Sequence, residues 1–257
     1  MSEIIKADLL QLYSNISKHS NYQSLPRALQ DHLGEQKILT KSRYEYERFN
    51  YILKKLNITD MTILDIGGNT GFFTIEALIN DAKKVYYYEG NKEHSLFIEK
   101  ALQLLQLNHR AVVSNQYYRF DNNDLLKFDL TFLLNVLHHT GDDYGPTRSS
   151  LDAVKNDILI QLNQISKQTR FLVFQLGFNW RGDIKNGLFK NGTKQEMIDF
   201  ITSGIHSHWK IESIGIAEKI DDKIEYREAN SNNLVRNESL GEFLNRPLFI
   251  MKSTHFN

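Results

Sequence analysis

Three sets of residues in this 257-residue chain have types and spacings suited to chemistry. The first is Leu137-His138-His139-Thr140-Gly141-Asp142-Asp143-Tyr144, which follows the nearly continuous apolar run Phe128 to Val136. Imidazole is the side chain best suited to accept a proton near neutral pH, and a carboxylate can orient it through its other nitrogen. His138, His139 and Asp142 are therefore candidate catalytic residues, with Asp143 an alternative orienting acid. Adjacent residues on a helix point apart, so the two histidines alone do not chelate a metal. Two carboxylates also fall short of the octahedral oxygen set that magnesium demands, so no metal is expected. The second set is Asp65-Ile66-Gly67-Gly68-Asn69-Thr70-Gly71, and the third is Glu89-Gly90, at the end of Val85-Tyr86-Tyr87-Tyr88. Glycines let a backbone approach a ligand closely at a helix N-terminus, while an acid about twenty residues further on can take both hydroxyls of a ribose.

The elements around these residues supply the positioning. Thr62–Ile66 is a strand-type run stopped by the glycine turn, Phe72 to Ala82 has helical spacing, and a second apolar run ends on Glu89. Strand, glycine turn, helix, strand and acid in that order form a nucleotide-binding β-α-β unit. A helix over 95–107 and a third strand over 110–114 follow, with Ser114 and Asn115 at the strand's end. Residues 128–136 read as a central strand buried on both faces. A helix over 151–166, a strand over 169–176, a helix over 194–202, a sixth strand over 208–216, a polar insertion over 218–245 and a closing strand over 246–251 complete the chain. In an open parallel sheet, ligands bind outside the carboxyl ends of strands. The loop 177–187 leaves such an end, and its Trp180, Arg181 and Asp183 form a natural acceptor-binding set. Upstream, a helix spans Ile4 to Tyr13, Pro26 opens a second that Gly34 ends, and 40–56 is a third with the stripe Phe49, Ile52, Leu53 and Leu56. Asp121-Asn122-Asn123-Asp124 reads as a turn.

Asp65-Ile-Gly-Gly-Asn-Thr-Gly71 resembles motif I, D-x-G-x-G-x-G, of the class I S-adenosylmethionine (SAM)-dependent methyltransferases, with Asn69 in place of the middle glycine. The resemblance runs through Glu89 to Phe128-Asp-Leu-Thr-Phe-Leu-Leu-Asn-Val-Leu-His-His139 and covers roughly residues 60–175. It implies an α/β fold, a Rossmann-like open sheet of seven strands, mostly parallel with an antiparallel last strand, plus N-terminal helices. It further implies a helical cap over 1–60, a SAM-binding domain over 61–257 and SAM as cofactor. The implied cofactor contacts are Asp65, Gly67, Gly68, Asn69, Gly71, Glu89, Gly90, Ser114, Asn115 and Asn135. Arg43 and Tyr44 join them because tRNA wobble-uridine carboxymethyltransferases, which the segment before Phe49 resembles, line their pocket with upstream Arg and aromatic residues. The N-P-P-Y-type motif of amide and base N-methyltransferases is absent where Asn135-Val-Leu-His138 stands. Methylation of a hydroxyl oxygen is therefore expected. The first segment resembles FkbM-type O-methyltransferases, and Leu-Leu-Asn-Val-Leu-His-His resembles methyltransferases of bacterial surface glycans, so the expected acceptor is a glycan or other hydroxylated metabolite. A tRNA-modifying enzyme and a non-catalytic SAM-binding regulator are the alternatives.

Composition bounds these readings. Lys+Arg and Asp+Glu number 31 each, so no global field draws nucleic acid or an anionic membrane, and a nucleic-acid partner is disfavoured. The chain has no cysteine, which removes disulfides and thiolate chemistry together. An apolar content of 41% is enough for a sizeable core. No apolar run reaches the length of a membrane span, and a cytoplasmic protein is expected. Composition does not speak to oligomeric state.

Overall fold

Short apolar strands alternating with amphipathic helices build an α/β protein, seen in a computed structural model that describes residues 2–15, 23–34, 40, 42–121, 126–142, 145, 147, 150–205 and 207–256. The strands are β1 (Thr62–Ile66), β2 (Lys84–Tyr88), β3 (Ala111–Ser114), β4 (Phe128–Leu134), β5 (Thr169–Gln175), β6 (Trp209–Ile220), β7 (Lys223–Glu228) and β8 (Leu248–Ser253). The helices are α1 (Ser2–Asn15), α2 (Arg27–Leu33), α3 (Glu45–Lys55), α4 (Phe72–Ile79), α5 (Lys92–Leu104), α6 (Leu151–Gln164), α7 (Lys194–Ile205) and α8 (Gly241–Leu244). The strand order is β3-β2-β1-β4-β5-β8-β6-β7. The chain divides into two compact units, Met1–Phe49 with Asn57–Tyr118, and Asn50–Leu56 with Arg119–Asn257.

In the first unit, β1, β2 and β3 are parallel and end level, Ile66 beside Tyr88 and Tyr88 beside Ser114. Ile63, Leu64, Val85 and Tyr87 are fully buried, as are Phe72 and Ile75 of α4 and Phe97 and Ile98 of α5. Burial of each such side chain contributes roughly 1.5–3 kcal/mol. Asn91 caps α5, its side-chain oxygen accepting from Glu93 N at 2.9 Å and His94 N at 3.2 Å. On α5 lies α1, through Tyr13 against Phe97 (centroids 5.8 Å) and Lys100 on Asp8 (2.8 Å). The start of α3 meets α4 through Tyr46, edge-on to Phe72 at 4.8 Å and donating to Glu76 at 3.1 Å.

The second unit pairs β4 with β5 in parallel, from Phe128 beside Thr169 to Leu134 beside Gln175. β8 is antiparallel to both β5 and β6, and β7 is antiparallel to β6. Phe132, Leu133, Phe174 and Phe249 form its fully buried centre. The second half of α3 belongs here: Tyr51 lies 2.5 Å from Ser213 Oγ and donates to Glu228 at 3.0 Å.

The sheet has eight strands where seven are expected, and more than the last runs antiparallel: β8 is antiparallel to its neighbours, and β7 adds a hairpin at the edge. Residues 218–245, expected as an insertion, contain the end of β6, all of β7 and α8. Asp221 and Asp222 both adopt left-handed φ (46° and 61°), the geometry of a two-residue hairpin turn. Only Tyr226 of β7 is buried, so an edge strand with charged neighbours looks like a polar loop. The closing strand is displaced to 248–253. Asn122 to Asp124 lie outside the described residues.

Candidate active site

Within the first unit, the level ends of β1, β2 and β3 bring the glycine turn, Glu89, Gly90, Ser114 and Asn115 together. The turn needs left-handed backbone at Gly67 (φ 67°), Asn69 (φ 52°) and Gly71 (φ 86°). Asparagine tolerates that region better than most residues, which is why Asn69 can stand at the motif's middle glycine. Gly67 N and Gly68 N donate to Tyr88 O (2.8 and 3.3 Å), tying the turn to the end of β2. Tyr87, fully buried, donates its hydroxyl to Asn69 O. Asn115 donates to the carbonyls of Glu89 (3.1 Å) and Gly90 (3.3 Å), and Glu89 N donates to Ser114 O (3.1 Å).

Glu89 is the centre of this arrangement. Its two carboxylate oxygens accept from Asn69 N (3.0 Å) and Asn91 N (2.9 Å). Burial opposes its charge, but the His94 ring, 3.9 Å away, and those two N–H groups outweigh burial and hold the carboxyl below the usual glutamate range. It is thus an ionised acceptor, and each oxygen keeps a lone pair beyond the backbone bond it takes. Its side chain is 13% exposed, enough for a ligand to touch. Asp65 has a different task. It is buried and accepts from Thr74 Oγ1 at 2.6 Å. Burial raises its carboxyl to about 7; the Thr74 hydroxyl opposes the rise and the charge of Glu89 adds to it. It braces β1 against α4.

Sequence reasoning missed Gln23. Its side-chain oxygen accepts from Thr70 Oγ1 (2.8 Å) and from Phe72 N (3.1 Å), so it caps the first turn of α4 directly behind the glycine turn. A contact spanning some fifty positions leaves no local signal. Arg43 and Tyr44 lie at the start of α3 in the same unit, where Arg43 N donates to Glu45 Oε2 (2.9 Å) and Tyr44 N to Ser42 Oγ (3.0 Å). Their backbones serve the helix start rather than the glycine turn.

In the second unit, β4 is followed at once by Asn135, which has φ 62°. Its amide nitrogen donates to Gln175 Oε1 (3.0 Å) and its amide oxygen accepts from Arg246 Nη1 (2.7 Å). Arg246 is in turn bidentate on Glu242, at 3.0 and 2.5 Å. Burial opposes charge on Glu242, but Arg246 wins and lowers its carboxyl below the usual range. This network fixes the strand end from which His138 and His139 leave. Neither Arg246 nor Glu242 was singled out in sequence, because both fall in the segment read as insertion and strand start.

The two imidazoles lie against each other, tilted by 43° with centroids 4.3 Å apart, but differ in surroundings. His138 is buried, and its Nδ1 accepts from Gly177 N at 3.3 Å. In neutral imidazole, one nitrogen donates and the other accepts. The proton of His138 therefore sits on Nε2, and Nδ1 is spent on the backbone. His139 is half-buried, with Nδ1 3.9 Å from Asp142 Oδ2. That is longer than a hydrogen bond, and the contact becomes an ion pair when the ring takes a proton. Asp143 lies outside the described residues. Trp180 Nε1 donates to Thr140 O (2.8 Å), and Arg181 Nη2 donates to Gly141 O (2.5 Å) while its guanidinium covers the Trp180 ring (4.3 Å). Asp183 accepts from Lys185 N and Asn186 Nδ2 within its own loop. The expected acceptor-binding trio thus braces the histidine segment and its own turn.

No protein-family model matches the sequence, and no curated protein does. Solved structures do match. A structure of WbdD is similar with a TM-score of 0.58 at 14% identity, over 94% of this chain and 40% of that one. The likeness is one of fold. A candidate SAM-dependent methyltransferase from Streptococcus mutans gives a TM-score of 0.49 at 14% identity, over 80% of this chain and 47% of that one. A candidate rRNA methylase from Clostridium thermocellum gives 0.49 at 10% identity, over 84% and 98%. Among the described residues no helix is long and apolar enough to cross a membrane.

Proposed function

We propose that this protein is a SAM-dependent O-methyltransferase acting on a hydroxyl of a glycan or other hydroxylated metabolite, with residues 1–60 a helical cap on the domain that follows. The observation that carries the reading is Glu89: an ionised carboxylate at the end of β2, bonded to the backbone of a left-handed glycine turn, with one lone pair of each oxygen left over. Two such lone pairs suit the two hydroxyls of a ribose. The turn's glycines leave its backbone approachable by the rest of the cofactor.

Bound SAM supplies a methyl group already activated by its sulfonium, so the chain's own residues have only to align an acceptor and take its proton. His139 is the side chain for the second task. His138 holds its ring against Gly177 and would have to give up that bond to offer Nε2 as a base. We therefore assign His138 a positioning role, packed against His139, and Asp142 the role of orienting His139. Asp65 supports the glycine turn within its own unit through Thr74, and Asn135 supports the end of β4 within the other through Arg246.

Calorimetry tests the reading at its first step. The wild-type chain should bind SAM, and Gly67→Val should abolish binding in a variant that still folds, with a lowered melting temperature because a β-branched residue is strained at φ 67°. A wild-type chain that fails to bind SAM, or a Gly67→Val variant that binds normally, would remove the cofactor from this turn. An RNA fraction, rather than a glycan or small-molecule fraction, accepting the methyl group would favour the tRNA alternative.

A further inference from the structure

A cleft of about 890 Å³ opens within the second unit, walled by the start of α6, residues 178–192 and residues 236–242. That volume is typical of small-molecule sites. The charged residues lining it fall into two groups. Arg236 donates to Glu238 (2.6 Å) and to Gly192 O (2.6 Å) and lies over the Phe178 ring (5.1 Å), and Glu242 is held by Arg246. These charges are satisfied. Lys155 is not: its ammonium lies over the rings of Phe189 (5.5 Å) and Phe200 (5.9 Å), with no carboxylate at ion-pair distance among the described residues. Asp152, three positions earlier on α6, lines the same cleft without pairing to it, and Lys190, also in the lining, is exposed.

A half-buried ammonium steadied by aromatic faces, with its helical neighbour carboxylate left apart, is held in place yet open to an anion from solution. The separate Asp152 carboxylate is an acceptor only and suits hydroxyl donors. An amine and an acid standing apart on one rim describe a ligand that carries both an anionic group and free hydroxyls. One residue of the cleft's wall is joined through its chain neighbour to the proposed chemistry in the same unit. Asn179 lines it, and the next residue, Trp180, holds the carbonyl of Thr140, which follows His139. We propose that this cleft receives the methyl acceptor and that the acceptor is an acidic saccharide, its carboxylate or phosphate pairing with Lys155 and its hydroxyls meeting Asp152. The assignment rests on the O-methyltransferase reading above and adds the acceptor's charge to it.

Ligand-observed NMR titration of the full chain tests it with four probes: glucuronate, glucose 6-phosphate, glucose and a short RNA oligonucleotide. At least one of the two anionic sugars should bind about tenfold or more tightly than glucose, as one charge-assisted contact allows. Which of the two binds better tells carboxylate from phosphate. Lys155→Gln should erase the preference and Lys155→Arg keep it; Lys155→Met, which leaves an apolar stem on the rings, serves beside Lys155→Gln should the latter unfold. Equal binding of all three sugars, no binding, a preference that survives loss of the ammonium, or tighter capture of the RNA would overturn the proposal. SAM calorimetry on the same samples separates the two readings. SAM binding without the anionic preference defeats only the acidic acceptor, whereas the preference without SAM binding defeats the methyltransferase reading.

Discussion

Asp65 is buried and Glu89 is partly so, yet their surroundings drive the two carboxyls in opposite directions. Glu89 receives two backbone N–H groups and stays charged, so Glu89→Ala should weaken SAM binding by roughly tenfold or more, since bonds to a charged acceptor contribute about 1.5–3 kcal/mol each. Calorimetry on the folded variant reads this, and an unchanged affinity would take Glu89 out of the site. Asp65 is raised from 3.8 to about 7, first by burial. Across that window the folded state keeps a proton that the unfolded state has lost, so this group's contribution to stability falls as pH rises and is smallest above about 7. Asp65→Asn removes the titration and can still accept from Thr74. Its melting temperature relative to wild type should therefore rise between about pH 5 and about pH 8; a constant difference would show that Asp65 does not hold a proton in the fold. Among the histidines, His139→Ala should keep SAM affinity and lose on the order of 100-fold in methyl transfer. His138→Ala should chiefly lower stability, by emptying the space against Gly177. The reverse pattern in transfer assays would exchange their roles. Glu89, the turn and the histidine pair were legible in sequence because each is a short motif whose chemistry depends on neighbours in the chain. Gln23, Arg246 and Lys155 were not, because what distinguishes them is a partner far along the chain.

At the scale of elements, the glycine turn is fixed by backbone conformation as much as by ligand chemistry. Gly71 has φ 86°, and a β-carbon there would lie 2.1 Å from Ile98 Cδ1 on α5. Gly34, which closes α2, has φ 66° with nothing within 4 Å of such a carbon. Gly34→Ala should therefore cost about 1–3 kcal/mol from its positive-φ backbone (φ 66°, ψ −130°) alone. Gly71→Ala should cost more, because the overpacking of α4 against α5 adds roughly 1–3 kcal/mol. Denaturant titrations compare the two, and equal losses would mean that Ile98 moves aside freely. The first five strands were legible as short apolar runs, each broken by a turn or a helical pattern. β7 was not, since Lys223, Glu225, Arg227 and Glu228 alternate with only one buried residue. Its turn was no plainer, because Asp221-Asp222 lacks the glycine that marks most two-residue hairpins.

At the scale of the whole molecule, 31 basic and 31 acidic side chains cancel, and charge acts locally. The network of Glu242, Arg246, Asn135 and Gln175 is one such local concentration, and the pairing of Lys155 with aromatic rings is another. The sheet of eight strands is similar in fold to the structure of WbdD. The most direct measurement is methyl transfer from isotopically labelled SAM by the intact chain to cell-extract fractions separated into glycan, RNA and small molecules. The account predicts label on oxygen, as an alkali-stable methyl ether in the glycan or small-molecule fraction, absent with His139→Ala. Label confined to RNA, or bound SAM that labels no fraction, would contradict it.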